Sequence, residues 1–157
     1  MSGKLNVTLP SDLEIAMTYV FDAPRHLVFE AMSKCEHIAH WWGPRGYIVK
    51  SCEMDFRVGG KWRFVHLGPD GKEYGFRGEY RTIEPPATIA QTFEFEGMPG
   101  HISLDTLTLE ERDGRTTATT VSRYDSKEDR DGMLQSGMEA GATESYDRLA
   151  EYLATGF

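Results

Sequence analysis

The spacing of apolar residues changes at about Ser126, and this change most constrains the fold. Most segments between about residue 13 and residue 124 alternate apolar and polar residues, as is typical of half-buried β-strands. From Ser126 onward, apolar residues recur at steps of three and four, which predicts one long amphipathic helix over about Ser126–Ala154, capped by Ser126 with Asp129. A sheet followed by a long helix predicts an α+β fold in which the helix covers the apolar face.

The predicted strands are separated by turns rich in glycine and proline. They cover Leu13–Phe21, Tyr47–Phe56, Lys61–Leu67, Glu73–Ile83, Thr88–Glu96, Ile102–Glu111 and Thr116–Tyr124. This spacing favours an antiparallel meander of about six to seven strands. Two short helices are expected after the first strand. Asp22 and Pro24 mark the start of the first, with Asp22 as its cap, and the second covers about Cys35–Trp42.

Length and charge limit the class of protein. A chain of 157 residues fits a single domain, here with a core over about residues 13–153 and an N-terminal extension over residues 1–12. The net charge is -8 and the basic residues are scattered, so nucleic-acid binding is not expected. We found neither an apolar run long enough for a membrane span nor a signal-peptide pattern, and a cytoplasmic location is therefore expected. Cys35 and Cys52 are expected to be free, largely buried thiols.

Two adjacent tryptophans, Trp41 and Trp42, precede Gly43 and Pro44. Each indole can bury roughly 150–250 Å², so the pair must cover a core, line a cavity or face a partner. Gly43 and Pro44 end the preceding helix. We expect the pair to close one end of the space between sheet and helix, with at least one indole packed in the core or against the cavity mouth.

Several segments together resemble the family of the activator of heat shock protein 90 ATPase. They are Ala23-Pro24, Trp41 to Pro44, Phe56 to Phe64, Pro69 to Gly71, Phe76 to Tyr80 and Ile83 to Pro86. The resemblance, to a bacterial homologue, implies the helix-grip fold of the START-like, or SRPBCC, superfamily, in which a curved antiparallel sheet surrounds a long C-terminal helix and leaves a deep pocket. It supplies no catalytic motif. The eukaryotic co-chaperone has a further N-terminal domain that contributes to chaperone binding, so chaperone activation is not expected here.

A cavity between sheet and helix is also favoured by the residues themselves. Gly132, Gly137 and Gly141 in the predicted terminal helix leave room for close packing or for a ligand, although each costs about 1 kcal/mol relative to alanine. Aromatic residues on the sheet supply an apolar wall, and buried polar groups among them need partners. The predicted lining residues are Trp42, Trp62, Phe64, His66, Phe76, Tyr80, Gln91, Phe93, Phe95, Met133 and Met138.

Motifs for specific chemistry are weak. His37 and His40 have a spacing that a helical metal site could use, but no third ligand is apparent in the sequence, so neither a metal nor another cofactor is expected. No serine or cysteine lies in a nucleophile motif. His66 shares a predicted strand face with Trp62 and Phe64 and is the candidate for proton transfer, against the alternative that it faces solvent at a hairpin end. Catalytic residues remain unassigned.

Three functions are compatible with this pattern. The first is a binding protein for a hydrophobic or amphipathic small molecule, such as a lipid, held between sheet and helix. The second is an aromatase/cyclase-type enzyme that uses His66, Tyr80 or a pocket carboxylate in the same cavity. The third is a protein-interaction module whose partner is a chaperone or a second copy of the chain, so a homodimer is conceivable but is not predicted by any motif.

Overall fold

Eight strands and four helices make up the protein in a computed structural model that describes residues 4–157. The strands are β1 Asn6–Thr8, β2 Glu14–Phe21, β3 Ile48–Met54, β4 Lys61–Leu67, β5 Glu73–Glu84, β6 Thr88–Phe95, β7 Ile102–Arg112 and β8 Arg115–Arg123. The helices are α1 Arg25–Ser33, α2 Cys35–Trp41, α3 Lys127–Gln135 and α4 Met138–Leu153. The predicted α+β helix-grip class is confirmed, with one strand more than the six to seven expected.

All neighbouring strands in the single sheet are antiparallel, in the order β1-β2-β8-β7-β6-β5-β4-β3. Strands β3 to β8 follow one another as a meander, and β2 closes against β8. The additional strand, β1, lies within the predicted N-terminal extension and pairs Val7 with Met17 of β2. Its three residues are too few to show alternation. Residues 1–3 of the extension lie outside the described part of the chain.

The predicted long terminal helix is wrong in one respect: it is two helices. Gly137 has φ of +84°, a left-handed conformation that glycine adopts without steric cost, and it separates α3 from α4. The predicted cap of α3 is present, because the Ser126 hydroxyl accepts a hydrogen bond from the Asp129 amide at 3.0 Å. The apolar repeat continued across the break, and for that reason the periodicity did not reveal it.

The expected capping role of Asp22 is also wrong. Pro24 is the N-cap of α1 and provides no side-chain cap. Instead, the amide of Arg25 donates to the Glu111 carboxylate at 2.8 Å, so an acceptor from the β7–β8 hairpin satisfies the helix start. This contact spans 86 positions in the sequence, and local sequence patterns carry no signal for it.

The cysteines are not free thiols, contrary to expectation. Cys35 at the start of α2 and Cys52 in β3 form a disulfide with a Cα–Cα separation of 5.8 Å, within the usual range. Helix α2 packs against β3, which brings the two cysteines together. The bridge closes the chain segment that contains the tryptophan pair, and it therefore fixes both ends of that segment.

The core lies between the sheet and the C-terminal half of α4. Leu149 and Leu153 of that helix are buried with Phe21, Leu109 and Val28. The N-terminal half of α4 does not close onto the sheet, and the space beneath it is the cavity described below. No helix among residues 4–157 has the length and apolar character needed to cross a bilayer.

Candidate functional site

A cavity of about 800 Å³ lies between the sheet, α3 and the first half of α4. Its volume is within the range of typical small-molecule sites. Strand residues from β2 and from β4 to β8 form one side, and helix residues such as Met133, Met138 and Ala142 form the other. The predicted gap between sheet and terminal helix is thus located at the end where the helices diverge from the core.

The lining residues proposed from the sequence lie together around this cavity: Trp42, Trp62, Phe64, His66, Phe76, Tyr80, Gln91, Phe93, Phe95, Met133 and Met138. Their contact with a ligand stays a prediction. Trp42 forms the centre of the aromatic wall, with its ring centroid 4.9 Å from Phe64, 4.5 Å from His66 and 5.1 Å from Phe76. Offset and edge-to-face contacts at these distances are favourable and give the cavity a rigid apolar surface.

The two adjacent tryptophans have different roles. Trp41 is 4% exposed, and its indole nitrogen donates to the Ala31 carbonyl at 3.0 Å, so it joins α2 to α1. Trp42 is half-buried and lines the cavity. The following residue, Gly43, is tied to α4, because its amide donates to Ser145 Oγ at 3.0 Å and its carbonyl accepts from Arg148 at 2.9 Å.

Ser145 and Arg148 were absent from the predicted site, although they hold its wall in place. Arg148 also donates to the Pro44 carbonyl at 3.2 Å. These two side chains therefore satisfy backbone groups just beyond the end of α2, where no helical partner exists. The sequence separation exceeds 100 positions, and only the relation between α2 and α4 in three dimensions reveals the contact.

His66 is buried at 3% exposure and does not face solvent, which excludes the alternative considered for it. The pKa of His66 is lowered to about 4, mainly by burial; a hydrogen bond to the Trp42 backbone opposes this shift, and the nearby Arg148 charge contributes to it. The imidazole is therefore neutral at pH 7. Its Nε2 atom has no hydrogen-bond partner among the described residues, and neither has the indole nitrogen of Trp62. Unpaired buried polar atoms are rare and costly.

A row of polar residues crosses the cavity side of the sheet. The register pairs Tyr80 with Gln91, Gln91 with Asp105, and Asp105 with Ser122, on four successive strands. Side chains of directly paired residues share a face, and all four line the cavity. Asp105 accepts a hydrogen bond from Ser103 Oγ at 2.9 Å and is also bonded by Ser122. This carboxyl was missed from the sequence.

Burial raises the pKa of Asp105 to about 6, and the hydrogen bonds from the two serines oppose the shift. Burial also raises the pKa of Tyr124, and the charge of Asp105 adds to this effect. The pKa of Tyr80 is raised by burial as well, so its hydroxyl stays protonated at neutral pH. The cavity floor thus combines one ionisable carboxyl with hydroxyl groups.

The histidines considered for a metal site have other roles. His37 Nδ1 is bonded to the Tyr152 hydroxyl at 2.6 Å and Nε2 to Glu30 at 3.1 Å, whereas His40 stacks on the Tyr152 ring at 4.7 Å. These contacts join α1 and α2 to α4. Within residues 4–157, no cluster of three or more histidine, cysteine, aspartate or glutamate side chains is arranged to hold a metal ion.

The curved antiparallel sheet, the terminal helix and the cavity between them define a helix-grip protein of the START-like class. Residues 22–154 match the model of the family described as Activator of Hsp90 ATPase homolog 1-like protein. The chain therefore belongs to this family. None of the curated proteins matches the chain.

Solved structures agree with this assignment. A protein from Rhodobacter sphaeroides is 25% identical with a TM-score of 0.91, and the match covers 97% of this chain and 99% of that one. A protein from Arthrobacter aurescens is 27% identical with a TM-score of 0.87, over 96% and 91% of the two chains. The AHSA1 protein from Silicibacter pomeroyi shares the fold at 24% identity and a TM-score of 0.73, over 92% and 99%. At the level of the family, the fold is that of a ligand-binding or interaction module.

Proposed function

We propose that the protein binds a hydrophobic or amphipathic small molecule in the cavity between the sheet and α4. The observation that carries this proposal is the volume of about 800 Å³ enclosed by aromatic and methionine side chains. Apolar surface that stays in contact with water in such a cavity lacks the free energy of burial, which is about 25 cal/mol per Å². A ligand that covers the surface recovers this free energy on binding.

The tryptophan segment favours a ligand site over a protein contact in this part of the molecule. Trp41 is bonded within the core and Trp42 faces the cavity, so neither indole presents a broad exposed surface to a partner. Chaperone binding and homodimer formation have no specific support in these contacts. A cytoplasmic location also stays a prediction, and the Cys35–Cys52 bridge is of a kind that persists mainly in oxidising compartments.

Native mass spectrometry of the full chain tests the proposal, using a panel of alkyl and aromatic compounds with neutral, cationic and anionic head groups. A cavity-filling variant, Ala142→Phe, is expected to reduce binding, because Ala142 lines the cavity on α4. The matched control is Ala140→Phe on the exposed side of the same helix, which should bind as the unaltered protein does. The proposal fails if no compound binds, or if both variants bind equally well.

An enzyme acting in the same cavity is the second candidate, favoured by the unpaired Nε2 of His66 and by Asp105. A neutral imidazole and a carboxyl with a pKa near 6 are both groups that can accept a proton. Product analysis after incubation with ligands identified by the binding screen would detect such chemistry. Turnover that survives both His66→Phe and Asp105→Asn would exclude these residues as its source.

A further inference from the structure

The charged groups around the cavity are mostly acidic. Asp105, Glu128 and Asp129 contribute carboxylates to the lining, whereas the described lining includes neither arginine nor lysine. Of the two lining histidines, His66 is neutral at pH 7 and His101 is bonded to Asp129 at 2.9 Å. An anionic head group such as a fatty-acid carboxylate would therefore enter a cavity of its own sign without a cationic partner, which is unfavourable at low dielectric.

Asp105 differs from the other two carboxylates in its position. Glu128 and Asp129 lie in the first turn of α3, which stabilises negative charge. Asp105 lies in the middle of the sheet face and is bonded by serine hydroxyls alone. Among the described residues, no arginine, lysine or histidine forms an ion pair with it. A half-buried carboxylate without a counter-ion is destabilising, and a cationic ligand would supply the missing charge.

The surroundings of Asp105 suit a group that donates several hydrogen bonds. Gln91 is its direct neighbour on β6, and Ser122 and Tyr124 lie on the other side. Each offers an oxygen that can accept a hydrogen bond. The aromatic wall formed by Trp42, Phe64 and Phe76 lines the same cavity and offers apolar surface to the body of a ligand.

An independent observation comes from the other end of the same wall. His66 is 3% exposed, lines the cavity and has an unpaired Nε2. With its other nitrogen bonded to the backbone of Trp42, the neutral ring keeps Nε2 as an acceptor. The cavity thus offers acceptors at both His66 and Asp105, whereas the unpaired indole nitrogen of Trp62 is a donor among the same lining groups.

From this arrangement we infer that the preferred ligand is an amphipathic organic amine, with its ammonium group bound at Asp105 and its apolar body against the aromatic wall. This inference rests on the proposed binding function and names the class of ligand. It assigns Asp105 as the residue that selects the head group. An alkyl or aryl alcohol would fill the same volume but would leave the Asp105 charge unpaired, and a carboxylic acid would add a second negative charge beside it.

Three probes with one aromatic skeleton test the inference: naphthylmethylamine, naphthylmethanol and naphthoate. Dissociation constants are measured by isothermal titration calorimetry with the full chain at neutral pH. The amine is expected to bind at least about tenfold more tightly than the alcohol, and naphthoate is expected to be the weakest, since charge-assisted hydrogen bonds are about twice as strong as neutral ones. Equal affinity for amine and alcohol, or tighter binding of naphthoate, would overturn the inference.

The variant Asp105→Asn removes the charge and keeps the size of the side chain. It should weaken amine binding by about tenfold or more and leave alcohol binding within about threefold. The matched control is Asp113→Asn, which makes the same change in net charge at an exposed turn residue with φ of +54°, where asparagine is favourable. A control that weakens amine binding as much as Asp105→Asn would show a general charge effect and overturn the role of Asp105.

Failure of the inference and failure of the proposed function give different results. If all three probes bind without preference, the cavity binds ligands but Asp105 does not select an amine. If no probe binds the unaltered protein, the proposed function itself is contradicted for compounds of this size. Should Asp105→Asn fail to fold by circular dichroism, the comparison of the three probes on the unaltered protein still decides the inference.

Discussion

The backbone of Gly43 lies directly against the imidazole of His66. A Cβ atom added at Gly43 would be 2.7 Å from Nε2 and 3.1 Å from Nδ1 of that ring, and closer still to Cε1. Gly43 also has φ of +103°, which L side chains rarely adopt. Glycine is thus required after the tryptophan pair for two reasons, the close approach of the His66 ring and the positive φ. Its lack of a side chain allows His66 to reach the cavity wall beside Trp42.

Replacing Gly43 with alanine should therefore be strongly destabilising. We expect a loss of about 2–4 kcal/mol in the free energy of unfolding, from backbone strain together with displacement of the His66 ring. Urea denaturation of the variant measures this loss. The control Gly71→Ala has a similar φ of +81° but open space around it, so it should lose only about 1–2 kcal/mol from strain alone. Equal losses at the two sites would contradict the packing of Gly43 on His66.

Burial of His66 predicts a loss of stability in acid. Its folded pKa of about 4 lies below its usual value of 6.5, so the unfolded chain binds the proton more tightly between these pH values. Unfolding therefore becomes easier as the pH falls from 6.5 to 4, by up to about 3 kcal/mol for this group. Denaturation across this pH range should show a smaller acid loss for His66→Phe than for the unaltered protein. Parallel pH profiles for the two proteins would show that His66 is not buried.

The raised pKa of Asp105 predicts the opposite dependence of stability on pH, over an overlapping pH range. Its folded pKa of about 6 lies above its usual value of 3.8, so the folded protein binds the proton more tightly and gains stability as the pH falls from 6 to 3.8. The gain is at most about 3 kcal/mol, since water in the cavity screens the carboxyl. The difference in free energy of unfolding between Asp105→Asn and the unaltered protein should thus favour the variant more at pH 7 than at pH 4. Asp113→Asn should show no such difference between the two pH values.

The disulfide predicts a redox effect on stability. Cys35 and Cys52 are separated by 17 positions in the sequence, and closing a loop of about this length stabilises the folded state by about 3 kcal/mol in the chain-entropy model. Reduction with dithiothreitol should lower the urea midpoint of the unaltered protein. The double variant Cys35→Ser, Cys52→Ser should begin at the lower midpoint and should not respond to the reductant. A midpoint unaffected by reduction would contradict a stabilising bridge.

Most of the fold could be predicted because alternation within a strand is a local property. The strands from β2 to β8 were located to within about two residues at their ends, and the resemblance to a known family supplied the helix-grip arrangement. The elements that were missed depend on information outside the local pattern. Strand β1 is only three residues long, and the break at Gly137 left the apolar repeat of the terminal segment intact.

The apolar lining of the cavity was predictable from the sequence, as were the lining residues His66, Tyr80 and Gln91, but Asp105 was not. Aromatic residues such as Phe64 and Phe76 alternate with charged residues, so the sequence shows which face they share. The partners of Asp105 depend on the registers of three strands, and the contacts of Ser145 and Arg148 depend on where α4 crosses the end of α2. Apolar residues of β7 occur on the face that carries Asp105 and also on the opposite face. For this reason the alternation did not indicate which face is buried.

Occupation of the cavity is tested most directly by NMR of the protein labelled with ¹³C at its methionine methyl groups, during titration with naphthylmethylamine. Met17, Met133 and Met138 line the cavity, whereas Met54 is part of the hydrophobic packing outside it. A naphthyl ring held in the cavity should shift the first three signals through its ring current and leave the signal of Met54 in place. Unchanged signals for Met17, Met133 and Met138 at saturating probe, or shifts confined to Met54, would contradict a ligand site between the sheet and α4.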